Sequence, residues 1–352
     1  MFPSRRTTLG GDVFRDEYSL AFDGTDDYID ISDDSSLDIT DAITVCAWVK
    51  PTATGWHGIV SKSDLSTSED AWDFYLRTSI NTVRMQVTTS NIAESTTQLS
   101  LNKWYFLTGT YDGANVKVYV DGVLEGTNAR TAAIPTNNEP LKIGIYYNTS
   151  NAFQGNISEV SIYNSALTSS QVKTIYNGRE PYNHKEGVAS GNLLSWWRMG
   201  DGNIDKFNLI GDNVNPTMGS DLVTDGGFDG DGSAWTVDNF SIGSGVATTS
   251  TNGASIQQSL SISTGDMIKI VAEIKNYTSG SIRYYTGAGI DVSRSFSSDG
   301  VHTHYLIANS TKVLFYSDNF NGSIDNVKVY KVNGNAGAMI NMVSDDFTGD
   351  TP

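Results

Sequence analysis

The side chains with chemistry to offer fall into three groups: four histidines, one cysteine and a large set of aromatic rings. His302 and His304 stand at i, i+2, which places both on one face of a strand, where two imidazoles can share a transition metal. No third histidine and no Glu-x-x-His accompanies them, so a solvent-facing strand pair accounts for them. His57 and His184 each stand apart from the others. Cys46 lies in the apolar run 42–49 and reads as a small buried core residue, which excludes an intrachain disulfide and a metal cluster of cysteine type. The sequence has no Ser-His-Asp signature and no Gly-x-Gly-x-x-Gly phosphate cradle between a strand and a helix. The 17 Tyr and 7 Trp are the richest supply, because such rings stack on the face of a sugar while nearby amides and carboxylates take its hydroxyls. Candidates for that role lie in or beside predicted loops: Trp56, His57, Tyr146 and Tyr147 in the first half, and Trp235, Arg283, Tyr284, Tyr285 and Tyr305 in the second. Tyr and Trp are also ordinary core fillers, so only a minority of these is expected to meet a glycan.

Strands must position these residues. Alternation of apolar and polar residues recurs along the whole chain while helical spacing is almost absent. In 43–50, Ile43, Val45, Ala47 and Val49 share one face and Thr44, Cys46, Trp48 and Lys50 the other. Further strands are predicted at 18–22, 28–32, 72–77, 82–88, 104–111, 115–120, 141–146 and 157–163. Asp23-Gly24, Asp112-Gly113 and Asp121-Gly122 supply the positive backbone angles of tight hairpins between strands. One helix is predicted: Thr168 to Gln171 form a capping box, Val172, Ile175 and Tyr176 an apolar stripe, and Gly178 a stop. The apolar stretch 193–199, with Trp196 and Trp197, is expected to pack on a sheet. A second alternating set covers 254–260, 267–277, 281–286, 302–308, 312–316 and 323–332. The fold class is therefore all-β: two antiparallel β-sandwich, jelly-roll domains, with one short helix closing the first. The expected division is an N-terminal anchor segment 1–15, a first sandwich 16–200, a linker 201–221, a second sandwich 222–332 and a C-terminal extension 333–352 that orders against a neighbour.

The formal net charge is −17, from 23 basic and 40 acidic residues, so phosphate backbones are repelled and nucleic acid is excluded as a partner. No run of about 18 apolar residues occurs, so no membrane insertion is expected. No secretory signal is read at the N-terminus. Arg5, Arg6 and Arg15 concentrate positive charge there, and they are the candidate anchoring residues for an acidic partner.

Five segments in order carry a family resemblance: Leu20-Ala21-Phe22-Asp23-Gly24 through Ile31, Ile43 through Pro51, Lys103-Trp104-Tyr105, Val118-Tyr119-Val120-Asp121-Gly122, and Gly155-Asn156-Ile157-Ser158-Glu159-Val160 through Thr168. Together they resemble a laminin-G-like, concanavalin A-like lectin/glucanase domain, which implies two curved antiparallel sheets and a closing helix. The second half resembles carbohydrate-binding modules of the CenC type, through Asp225-Gly226-Gly227-Phe228-Asp229 and Gly322-Ser323-Ile324-Asp325-Asn326-Val327-Lys328-Val329. That resemblance implies a structural calcium ion as cofactor, with Asp229 and Asp325 as ligands, and Asn326 is a departure because several relatives carry a second acid there.

The combination resembles structural proteins of tailed bacteriophages, marine ones especially. It implies a non-enzymatic virion protein, a capsid decoration or a head or tail fibre. Its partners would be other virion subunits, cell-surface glycans and further copies of itself in a homo-oligomer, and its location the particle surface after lysis. The alternatives are a bacterial secreted or surface carbohydrate-binding protein, and a glycoside hydrolase with an accessory module. Hydrolases of this sandwich class place two carboxylates on one strand face, spaced Glu-x-Asp-x-x-Glu, and no such triplet occurs. The nearest acidic alternation, Asp26-Asp27-Tyr28-Ile29-Asp30, reads as a solvated hairpin edge.

Overall fold

A computed structural model of the protein describes residues 14, 16–63, 71–78, 80–88, 90–146, 148–201, 209–214, 217–285 and 295–352. It divides into two compact units, 1–215 with 339–352 and 216–338. The N-terminal arginines Arg5, Arg6 and Arg15, and Tyr147, lie outside the described residues.

The first unit holds β1 (Ser19–Asp23), β2 (Tyr28–Ile31), β3 (Ile43–Pro51), β4 (His57–Lys62), β5 (Trp72–Leu76), β6 (Val83–Val87), β7 (Asn91–Glu94), β8 (Tyr105–Tyr111), β9 (Asn115–Val120) and β10 (Val123–Ala129). It continues with β11 (Leu141–Ile143), β12 (Ile145–Tyr146), β13 (Asn148–Ala152), β14 (Gln154–Tyr163), helix α1 (Ser169–Tyr176), β15 (Leu193–Trp197) and β16 (Leu209–Ile210). The second unit holds β17 (Thr217–Asp221), β18 (Thr236–Asp238), β19 (Ser241–Gly243), β20 (Val246–Thr249), β21 (Ser255–Ser259), β22 (Met267–Tyr285), β23 (Ser295–Phe296), β24 (Gly300–Ile307) and β25 (Lys312–Asn333). The chain then enters β26 (Gly337–Ile340) and β27 (Phe347–Thr348).

Two large sheets and the two-stranded sheet β12-β13 form the first unit. One runs β10-β9-β8-β3-β14-β1-β27 with β15 also on β14, and the other runs β16-β26-β2-β11-β4-β5-β6-β7. The alternation in β3 is realised on both faces. Ile43, Val45, Ala47 and Val49 join the core that contains Phe74, Leu76, Val83 and Met85, while Cys46 and Trp48 join a second cluster with Val172, Ile175 and Trp196. Helix α1 covers that second face. It begins as the sequence dictates, with the Thr168 side chain accepting from the Gln171 N–H and the Gln171 side chain reciprocating; Asn177 takes the left-handed C-terminal position. Trp196 and Trp197 are buried on β15, opposite Ser161 and Val160 of β14.

The C-terminal residues, expected as a separate extension, instead belong to the first unit. Strand β27 pairs with β1, Met339 and Met342 enter the first core, and Asp350 accepts from Trp104 Nε1 at 3.1 Å and pairs with Lys50. The acidic hairpin edge also differs from its expected solvated state. Asp27 is 5% exposed and accepts the Asp23 N–H, and burial pushes its carboxyl up to about 6.

In the second unit the alternation of β22 holds: Ile268, Ile270, Ala272 and Ile274 enter the core with Phe315, Ile324 and Val329, while Lys269, Glu273 and Lys275 stay half-exposed. The segments 267–277 and 281–286, expected as separate strands, form one strand through Tyr285, and 312–316 and 323–332 likewise merge.

Candidate functional site

The face of β4–β7 turned away from the core gathers polar and aromatic side chains across three strands. Tyr75 pairs in register with Arg84, and Arg84 with Glu94, so the three form one row; the intervening residues Phe74, Leu76, Val83 and Met85 face the core. Arg84 donates through Nε and Nη2 to Glu94 Oε2 at 2.9 and 2.6 Å, and Arg77 and Thr82 donate to Glu94 Oε1 at 3.1 and 2.6 Å. Burial raises the Glu94 carboxyl, but these donors outweigh it and hold the group below its ordinary value, ionised. Tyr75 donates to Gln86 Oε1 at 2.9 Å, and burial keeps its phenol protonated.

Aromatic rings cover this row. Tyr146 stacks on Tyr75 with centroids 4.6 Å apart and planes 9° from parallel. Trp56 sits 5.6 Å from Tyr75 and 5.6 Å from the Arg84 guanidinium, and at 36% exposure it keeps much of its ring in solvent. The close crossing of 145–146 over β4 requires Gly58, because a Cβ there would stand 2.0 Å from the Ile145 carbonyl carbon.

His57 turns the other way. It pairs opposite Leu76, packs edge-on against Phe153 and donates from Nδ1 to the Ala152 carbonyl at 2.7 Å, which leaves Nε2 as the bare nitrogen beneath Gly55. The structure thus unites Trp56 and Tyr146, separates His57 from them, and adds Tyr75, Arg84 and Glu94. Tyr75 and Arg84 lie on strands predicted at 72–77 and 82–88, whereas no strand was predicted around Glu94.

In the second unit, Trp235 is 5% exposed, rests on Phe228 and donates Nε1 to the Asp225 carbonyl; it is a core residue and not a sugar platform. Tyr284 is buried, with its hydroxyl on His304 Nδ1. Arg283 pairs with Asp318 and stands in register with Tyr316, whose ring lies edge-on to Tyr285. Tyr305 is nearly buried, with the Lys269 ammonium 5.9 Å from its ring. His302 and His304 share a face, as their spacing predicts, and both pack on the Phe296 ring.

Asp325 Oδ2 accepts from Lys275 Nζ at 2.6 Å, and Oδ1 from the Asn326 N–H at 2.6 Å. Asp229 is exposed, with Oδ2 near Gly227 on the side of Asn326. An ammonium therefore stands where a cation would meet Asp325, and the arrangement does not fit calcium between these two aspartates.

Residues 23–173 match the family model described as the concanavalin A-like lectin/glucanases superfamily. No curated protein sequence matches the chain. Among solved structures, one described as a candidate carbohydrate-binding protein from Bacteroides ovatus is similar at 17% identity over 56% of each chain, with a TM-score of 0.46. A heptameric SAP-like pentraxin from Limulus polyphemus is similar at 19% identity over 49% of this chain and 85% of its own, TM-score 0.39. Domain 4 of an extracellular arabinanase from Geobacillus stearothermophilus, solved with arabinotriose, is similar at 21% identity over 45% of this chain and 76% of its own, TM-score 0.36.

Proposed function

We propose that the protein is a non-catalytic glycan-binding adhesin, carried as a structural subunit of a tailed-bacteriophage virion, with the Trp56 face of the first unit as its sugar platform. The observation that carries the glycan reading is the half-open Trp56 ring set beside the Arg84–Glu94 pair and the stacked Tyr75 and Tyr146. An indole with one face in water and fixed hydrogen-bonding groups at its edge suits a pyranose ring. The second unit is an accessory module of CenC-like type, with Arg283, Tyr285 and Tyr316 as its counterpart surface.

Absence of catalysis is part of the proposal. A glycosidase needs a carboxylic acid held protonated near neutral pH. On this face Glu94 is held ionised, and Asp73 is buried beneath donors from Ser61 and Ser63. The test is a glycan array read with wild type and Trp56→Ala, with hydrolysis of every bound glycan followed in parallel. Binding that falls roughly tenfold or more in the variant, without hydrolysis, supports the reading. Equal binding by the two proteins removes the Trp56 platform, and glycan turnover removes the non-catalytic role. Mass spectrometry of purified virions tests the location; absence from particles would favour a bacterial surface carbohydrate-binding protein.

A further inference from the structure

The acceptors on the Trp56 face are already engaged. Glu94 Oε1 accepts from Arg77 Nη1 at 3.1 Å and from Thr82 Oγ1 at 2.6 Å, and Oε2 takes both Nε and Nη2 of Arg84. A carboxylate offers about four lone-pair sites, and these donors fill them. Gln86 Oε1 receives the Tyr75 hydroxyl, and Asp73, fully buried, accepts from Ser61 and Ser63. A sugar hydroxyl that comes to this row as a donor finds each of these oxygens occupied.

Arg77 is the converse case. Its backbone is fixed at the base of the β5–β6 turn, where its N–H donates to the Thr82 carbonyl at 2.8 Å and its carbonyl accepts from the Asn81 N–H at 3.1 Å. Trp56 precedes β4 and Arg77 follows β5, and the pair His57 with Leu76 closes that end of the two strands; the connection between them leaves from the opposite end, at Lys62 and Trp72. The two arginines meet Glu94 differently. Arg84 spends Nε and Nη2 on it, whereas Arg77 reaches it through Nη1 alone. Nε and Nη2 of Arg77, the fork that grips a carboxylate side-on, meet no acceptor among the described residues, and the side chain is 41% exposed.

We propose that this face selects an acidic sugar, whose pyranose ring lies on Trp56 and whose carboxylate seats on the open Nε–Nη2 fork of Arg77. The inference rests on the Trp56 platform proposed above and adds the chemical class of its ligand. Glu94 is then a positioning residue: by holding Nη1 it restrains the guanidinium before a ligand arrives, so less side-chain freedom is lost on binding. The net charge of −17 does not forbid an anion here, because at physiological ionic strength fields decay over about 8 Å and the groups in contact decide.

The experiment is calorimetric titration of the full-length protein, at one ionic strength, with oligogalacturonate and sialyllactose, each against its own methyl ester, and with a sulfated galactan oligosaccharide. Wild type should bind at least one acid roughly tenfold or more tightly than its ester. Arg77→Gln should bring that acid down to the affinity of the ester and leave the ester unchanged. Arg77→Lys keeps the charge without the fork and should recover only a minor part of the preference. Trp56→Ala should weaken acid and ester alike. Circular dichroism checks the fold of each variant, and Arg77→Lys decides if Arg77→Gln does not fold. Equal wild-type affinity for acid and ester, with both lost in Trp56→Ala, would overturn the acidic selectivity and keep the platform. A preference that survives in folded Arg77→Gln, or tighter binding of the sulfated probe than of either carboxylate, would overturn the assignment to Arg77. Failure of both acids to bind would overturn it as well, and the platform would then stand or fall on the neutral glycans of the array.

Discussion

Replacing Trp196 by Phe isolates one bond in the buried cluster beneath helix α1. The ring that stacks on Phe14 and tilts against His184 is largely kept, while the 2.6 Å hydrogen bond from Nε1 to Glu159 is lost. A hydrogen bond to a charged group contributes about 1.5–3 kcal/mol and one between neutral groups about 1 kcal/mol. The loss in Trp196→Phe should therefore be about 1 kcal/mol where Glu159 is protonated and should grow toward about 2–3 kcal/mol where it is ionised. The sign follows from the group's raised pKa. The indole stabilises the charged form, so removing it raises the carboxyl further and makes native stability fall more steeply as pH increases. Trp196→Ala also removes the buried ring and should cost about 3–5 kcal/mol. Urea unfolding of both variants at about pH 5 and about pH 8 measures these differences, provided the first unit's transition is resolved from that of the second. A Trp196→Phe loss that is the same at both pH values, or below about 0.5 kcal/mol at the higher one, would refute the charge-assisted bond.

Three further outcomes follow from local geometry. Gly58→Ala places a methyl against the Ile145 backbone and should lower stability by about 1–3 kcal/mol while parting Tyr146 from Tyr75, which thermal melts and glycan binding report together. Thr168→Ala removes the cap of α1 and should cost about 0.5–2 kcal/mol in chemical unfolding, with Thr168→Ser retaining most of it. Asp325→Ala should lower the Tm of the second unit by the same amount in calcium and in chelator, because the partner of Asp325 is Lys275; a wild-type Tm that rises with calcium and a variant that does not respond would restore the metal site.

Local order was legible wherever one strand or helix decides it. The two faces of β3 and the cap at Thr168 follow from residue type and period alone. Strand β22 was read as two because Thr278-Ser279-Gly280 is polar; the chain absorbs that interruption by register shifts between Lys275 and Ser279 and at Ser281, where pairing with β25 resumes. Strand β4 escaped notice because it is buried along its whole length and does not alternate. Trp56 and Tyr146 were visible as loop aromatics. The row beneath them was not, since Tyr75, Arg84 and Glu94 meet only through the register of three strands. The inward turn of His57 depends on the irregularity between Gly58 and Val60, which no spacing rule encodes. Glu159 and its donors Trp196 and Arg198 are far apart in sequence, and only the pairing of β14 with β15 brings them together.

The return of the last residues to the first unit sets an order of events during synthesis. Strands β16 and β26 are sheet neighbours, yet residues 211–336 separate them in the chain. The second unit is continuous and can finish folding as soon as its own residues leave the ribosome. The first cannot: Met339 and Met342 are part of its core and Phe347 pairs with Leu20 of β1, so strands β1 and β2 wait for residues made after the second unit. A nascent chain stopped near residue 338 would hold the residues of the second unit and a first unit with an open seam along β1 and β2. Translation stalls or proteolytic trimming at that point would expose two unpaired sheet edges, at β1 and β2.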